Sequence, residues 1–118
     1  MNSISSKKSS NLTGTMIIPG DKSISHRALI IGSSVTGKIK INNMLESEDV
    51  LSTANALKKL GVSINKNTCN KWEVYGNGIG NLFGSGHTLE MGNSGTSTRL
   101  LMGLVAGSDV EATFIGDD

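Results

Sequence analysis

Apolar and polar positions recur along this chain with two periods, and the switches between them outline its elements. Thr15-Met16-Ile17-Ile18 is a short apolar run stopped by Pro19-Gly20, the pattern of a strand ending in a turn. From Lys22 to Ser34 a helix is predicted, because Ile24, Ala28, Ile31 and Val35 recur at spacings of four, three and four, with Leu29 and Ile30 widening the stripe. Such a helix is expected to be largely buried, and Gly37 to end it. Lys38-Ile39-Lys40-Ile41 then alternates like a half-buried strand. A second helix follows: Ser47 can cap it, Glu48 and Asp49 sit at its positive end, Lys58 and Lys59 at its negative end, and Gly61 closes it. Its core face reads Val50, Ala54, Leu57, Leu60.

Val62-Ser63-Ile64 and Trp72-Glu73-Val74-Tyr75 alternate on either side of the polar stretch Asn65 to Lys71, which predicts a β-hairpin with a longish loop. Gly76 to Gly86 reads as a glycine-rich loop. A last strand, helix and strand are expected over Thr88 to Met91, Gly92 to Ala106 and Glu111 to Ile115. The predicted order is β-α-β-α-β-β followed by β-α-β, an α/β (α+β) chain. Residues 1–13 are Ser, Asn and Lys with little apolar content, and are expected to form a disordered tail ahead of a structured part over 14–118.

Part of this pattern repeats. Laying Gly20 to Ile30 over Gly92 to Met102, an offset of 72, pairs Gly20 with Gly92, Ser25 with Ser97, Arg27 with Arg99 and Leu29 with Leu101, and sets Asp21 against Asn93. In both copies a short strand is expected to enter a Gly-Asx turn, small or hydroxyl residues open a helix, and an Arg sits on its second turn. This looks like a repeated unit that buries its helix face against neighbouring copies, one unit plus part of a second being present.

The opening turn of a helix leaves amides unpaired and carries partial positive charge, which suits phosphate or carboxylate. In the first copy Ser23 and Arg27 are four apart, so a hydroxyl and a guanidinium share one helix face, with Lys22 at the very start. In the second, Gly95 and Thr96 let the backbone approach a ligand closely, and Arg99 follows a turn later. Singly, these residues read as caps and surface charge. Together, and twice, they point to a ligand with more than one anionic group. His26 has no partner carboxylate in view and reads as structural.

Composition narrows the field. With 11 basic and 10 acidic side chains the formal charge is +1, which gives no electrostatic reason to expect a nucleic acid or an anionic membrane as partner. A single Cys69 cannot form an internal disulfide, no Cys/His cluster suggests a metal, and a cytoplasmic chain is expected. Two glycine patterns are decoys. Gly32 to Lys38 fits G-x-x-x-x-G-K, but Ile39 stands where a P-loop needs Ser or Thr, and the segment runs from helix to strand. The Gly76 to Gly86 stretch fails G-x-G-x-x-G because position 81 is Asn.

Pro19-Gly20-Asp21-Lys22-Ser23-Ile24-Ser25-His26-Arg27-Ala28 and Gly92-Asn93-Ser94-Gly95-Thr96-Ser97-Thr98-Arg99-Leu100 closely resemble the two opening signatures of the 5-enolpyruvylshikimate-3-phosphate synthase family. Leu45 to Val50 and Thr113 to Asp117 also resemble family segments, so the similarity runs from Thr15 to Asp118 and covers the beginning of a family chain. The resemblance implies the enolpyruvyl transferase fold of repeated β-α-β-α-β-β units, of which this chain would be the incomplete N-terminal part, the start of the upper domain. It implies transfer of the enolpyruvyl group from phosphoenolpyruvate to the 5-hydroxyl of shikimate 3-phosphate, with release of phosphate. By the same resemblance Lys22 would contact both substrates, Ser23 and Arg27 would hold shikimate 3-phosphate, and Asn93, Gly95 and Thr96 would line the phosphoenolpyruvate site. Gly95 would leave room there for glyphosate. No metal, redox cofactor or catalytic acid-base residue is expected within the chain, and the remainder of the enzyme is expected as a partner. The related UDP-N-acetylglucosamine enolpyruvyl transferases share the architecture, but the Asp-Lys-Ser start favours the shikimate enzymes. A non-catalytic anion-binding or interaction remnant is the competing reading.

Overall fold

The computed structural model describes residues 3–67, 70–84 and 86–117; Cys69 and Asp118, which figure in the expectations above, lie outside them. Among the described residues the elements run α1 (Lys22–Ser34), β1 (Thr36–Asn42), α2 (Glu48–Lys59), β2 (Ser63–Asn67), β3 (Lys71–Asn77), β4 (His87–Glu90), α3 (Gly95–Ala106) and β5 (Ala112–Ile115). β1, β3 and β2 form an antiparallel sheet in that order, and β4 pairs with β5 in parallel, joined by α3. No described helix is long and apolar enough to cross a membrane.

The first expected strand is absent. Residues 3–21 contain neither helix nor strand, and Met16, Ile17 and Ile18 are exposed. An apolar run becomes a strand only when an edge offers it hydrogen bonds, and here the Ile18 carbonyl instead accepts from Asn43 Nδ2 at 3.0 Å. The hairpin strands reach further than the alternation suggested, closing the interval to residues 68–70, and Gly76 belongs to β3 rather than to the loop after it.

α1 has the expected bounds but presents a different face. Ile24 and Ile31 are exposed, whereas Ser25, His26, Leu29, Gly32 and Ser33 are buried. Apolar spacing alone misplaces the contact because small residues bring α1 closer to its neighbours than a stripe of isoleucines would allow. The two buried serines satisfy themselves locally, Ser25 Oγ donating to the Asp21 carbonyl at 2.7 Å and Ser33 Oγ to that of Ile30 at 2.6 Å. Backbone approaches pin both ends of the helix. A β-carbon on Gly20 would overlap the carbonyl of Asn43, and one on Gly76 would overlap those of Gly32 and Val35.

α2 packs as its pattern predicts, with Val50, Ala54, Leu57 and Leu60 buried. They join Leu29 of α1, Ile64, Trp72 and Val74 of the sheet, and Leu89 and Leu101 of the β4–α3 segment in one apolar cluster that spans both sheets. Each buried Val, Leu or Ile among them contributes about 1.5–3 kcal/mol on leaving water. The loop into α2 is tied down by Glu46, which accepts from Trp72 Nε1 at 2.9 Å and from Lys66 Nζ at 2.7 Å.

Candidate anion-binding site

Helices α1 and α3 begin in the same way. In α1 the Asp21 carboxylate accepts from the Ile24 amide at 2.8 Å; in α3 the Ser94 hydroxyl accepts from the Ser97 amide at 3.2 Å. The caps are therefore Asp21 and Ser94. Ser23 and Thr96 are not caps, and their hydroxyls make no hydrogen bond among the described residues. Ahead of each capped amide lie two with no intrahelical partner, those of Lys22 and Ser23 and those of Gly95 and Thr96.

A guanidinium folds back over each start. Arg27 Nη1 donates to the Ser23 carbonyl at 3.2 Å. Arg99 covers Gly95, since a β-carbon placed there would stand 3.1 Å from Arg99 Nη1. The pairing of Ser23 with Gly95 and of Arg27 with Arg99 keeps the offset of 72, although α3 starts one residue later in its copy than α1. Ser25 and Ser97 are buried alike, as are Leu29 and Leu101. The copies thus correspond at their helix starts but not in the strands around them.

α2 joins the two starts. Lys22 pairs with the carboxylate of Asp49 in the first turn of α2, and the carbonyl of the same Asp49 accepts from the Ser97 hydroxyl at 3.2 Å. One turn further, Thr53 Oγ1 lies 2.9 Å from His26 Nδ1 on α1 and 2.9 Å from Ser97 Oγ on α3. Lys22, Ser23, Arg27, Gly95 and Thr96 thereby come to one end of the packed helices. Asn93, exposed just before the α3 cap, also lines a groove of about 400 Å3 with Glu48, Asp49, Asn55 and Asp117.

The electrostatics differ from the sequence reading in one respect: Lys22 is paired, so part of its charge is spent on Asp49. Asp49 does more than complement the helix end. His26 is fully buried, and burial pushes its pKa below the usual 6.5; Lys22 and Arg27 push the same way, while Asp49 opposes them. Periodicity overlooked Thr53, a polar side chain beside the Val50–Ala54–Leu57 stripe, four residues after Asp49. That spacing sets it on the helix side where Asp49 meets α1 and α3.

Comparisons with known proteins place the chain as a whole in a family. Residues 6–118 match the family model described as EPSP synthase (3-phosphoshikimate 1-carboxyvinyltransferase). The 3-phosphoshikimate 1-carboxyvinyltransferase of Parvibaculum lavamentivorans is 48% identical over 115 residues, covering 98% of this chain and 26% of that protein. That of Zymomonas mobilis is 49% identical over 112 residues, covering 95% of this chain and 25% of its own. The EPSP synthase from Acinetobacter baumannii superposes with a TM-score of 0.82 at 38% identity, over 88% of this chain and 24% of that one. The chain spans about a quarter of the length of the curated relatives it matches.

Proposed function

Because the chain belongs to the EPSP synthase family, we propose that it supplies part of the surface that binds shikimate 3-phosphate and phosphoenolpyruvate for enolpyruvyl transfer. Lys22, Ser23 and Arg27 take the shikimate 3-phosphate. Asn93, Gly95 and Thr96 line the position of phosphoenolpyruvate, and Lys22 reaches both ligands. The observation that carries this reading is the meeting of two helix starts, each with open amides and a folded-back guanidinium, at Asp49. Two anions held a few ångströms apart repel each other, and cations and amides already in place offset that repulsion with little reorganisation.

In the reaction, the methylene carbon of phosphoenolpyruvate takes a proton as the 5-hydroxyl oxygen, giving up its own proton to a base, bonds to the adjacent carbon. The resulting tetrahedral adduct loses phosphate and a proton from its methyl group, which restores the double bond. The side chains named here bind and orient; none is assigned any of the proton transfers. The 118-residue chain on its own is accordingly expected to release no phosphate from the two substrates.

Titration calorimetry of the chain with shikimate 3-phosphate tests the reading. Saturable binding is expected, weakened roughly tenfold or more in Lys22→Ala and in Arg27→Ala, since a hydrogen bond to a charged group contributes about 1.5–3 kcal/mol. Absence of binding by the folded chain refutes it in favour of a non-catalytic interaction remnant.

A further inference from the structure

We infer that His26, Thr53 and Ser97 are positioning residues, a buried chain of hydrogen bonds that fixes the starts of α1 and α3 relative to each other and so sets the spacing of the two anion subsites. The inference rests on the binding reading above for its functional meaning, but its structural content stands separately.

All three side chains are fully buried, and Ser94, at the end of the chain, is nearly so. His26 Nδ1 lies 2.9 Å from Thr53 Oγ1, Thr53 Oγ1 2.9 Å from Ser97 Oγ, and Ser97 Oγ 2.6 Å from Ser94 Oγ. The path therefore begins beside Arg27 and ends on the residue that caps α3, immediately before Gly95 and Thr96. Burying this many polar atoms costs free energy that apolar side chains would not incur. What they add is direction. Leucines in the same place would tolerate a helix sliding or turning by a fraction of an ångström, whereas hydrogen bonds weaken steeply away from their preferred distance and angle.

The hydroxyls can all be satisfied with no buried imidazole N–H left unpaired when His26 is the donor at the head of the chain. His26 Nδ1–H donates to Thr53 Oγ1, and Thr53 and Ser94 donate to Ser97 Oγ. Ser97 donates to the Asp49 carbonyl at 3.2 Å, while Ser94 Oγ accepts from the Ser97 amide. This arrangement requires His26 to be neutral with its proton on Nδ1. His26 Nε2, buried with no partner among the described residues, is then a bare lone pair rather than an unpaired N–H donor.

The test uses the 118-residue chain. In ligand-free nitrogen-15 spectra at pH 7.5, His26 should be neutral and protonated on Nδ1; the Nε2–H tautomer or an imidazolium overturns the inference. Thr53→Val removes the hydroxyl at nearly constant volume and should shift the amides of both Ser23 to Arg27 and Gly95 to Thr98, while Thr53→Ser should restore them. A folded Thr53→Val protein with unmoved Gly95 and Thr96 amides overturns it as well. If Thr53→Val does not fold, the His26 tautomer and the Thr53→Ser spectrum decide, the latter being required to keep the wild-type Gly95 and Thr96 shifts. Affinity for phosphoenolpyruvate should fall about tenfold in Thr53→Val and recover in Thr53→Ser, the size expected for one misaligned charge-assisted contact. A loss of thermal stability with unchanged affinity would mark a merely structural role and refute the positioning one. If the wild-type chain binds neither substrate, the binding reading fails, and the ligand-free spectra still judge the hydrogen-bonded chain.

Discussion

Replacing Gly95 by Ala separates the needs of the fold from the needs of a ligand. Gly95 is the first residue of α3, and its φ is not in the left-handed region, so the backbone accepts a side chain there. The added methyl would meet Arg99 Nη1 at 3.1 Å, Cζ at 3.8 Å and Nη2 at 4.0 Å. Only the first contact is short, by about 0.4 Å against the optimum for non-bonded atoms, and it falls on the tip of a long, exposed side chain that can swing away. Against that small strain stands the lower entropy of an unfolded chain carrying Ala, worth about 0.4–1 kcal/mol. The variant should melt at the wild-type temperature or up to about 3 °C above it.

A ligand meets the same methyl differently. An anion accepting from the Gly95 and Thr96 amides sits about 2.9 Å from a nitrogen, and a β-carbon intrudes on that space. Losing one hydrogen bond to a charged acceptor costs about 1.5–3 kcal/mol, which raises Kd roughly tenfold to more than a hundredfold. Calorimetry with phosphoenolpyruvate and with inorganic phosphate, paired with thermal melts, reads both effects. Equal affinities in wild type and Gly95→Ala would show that no anion approaches these amides. A melting point lowered by several degrees would show that Gly95 serves packing instead.

The same substitution at Gly76 should have the opposite outcome, because there a β-carbon falls on the carbonyls of Gly32 and Val35, which cannot swing aside; chemical denaturation should show a loss of about 3 kcal/mol, and wild-type stability would exclude the close contact of α1 with β3. For His26, whose folded pKa lies below 6.5, the unfolded state binds the extra proton, so stability should be full above pH 6.5 and decline as pH falls below it. Urea titrations from pH 7.5 to 5 should show this slope and its flattening in His26→Gln; an unchanged slope in the variant would assign it to other groups. Glu46 is held below its usual 4.5 by hydrogen bonds from Lys66 and then Trp72, so its contribution is present above that value and is lost as pH falls through the lowered one. Trp72, the single tryptophan, reports this by fluorescence, and Glu46→Gln should remove the low-pH step while keeping the indole hydrogen bond.

What the sequence revealed and what it withheld follow from the range of the interactions involved. The bounds of α1, the core face of α2 and the end of α3 were legible because helical periodicity is local, although Gly37, expected to end α1, lies inside β1 and the helix stops at Ser34. The placement of Lys22, Ser23, Arg27, Gly95 and Thr96 in the first two turns of helices was legible for the same reason, and any helix start exposes amides. Thr15 to Ile18 was misread because strand formation depends on a partner edge, which no local pattern supplies. The buried face of α1 was misread because Ser25, Gly32 and Ser33 pack by being small, a property that apolar spacing ignores. The chain through His26, Thr53 and Ser97 was illegible in principle: its members lie 27 and 44 residues apart, and only the packing of three helices brings them together.

The two helix starts are not equivalent, and their differences match the ligands proposed for them. α1 is capped by a carboxylate, which would repel an anion if left alone; the cations at this start are Lys22, paired with Asp49, and Arg27, folded onto the Ser23 carbonyl, so what this start offers a ligand is chiefly charged side chains. A ligand must compete with the Asp49 carboxylate for Lys22. α3 is capped by neutral Ser94 and opens with Gly95, so its amides are bare and Arg99 lies above them. A start of the first kind suits a larger ligand whose phosphate and hydroxyls can be reached by long side chains. One of the second kind suits a small ligand pressed against the backbone. Shikimate 3-phosphate at α1 and phosphoenolpyruvate at α3 satisfy both conditions; the reverse assignment would set the smaller ligand against the Asp21 charge and deny the larger one its side-chain contacts.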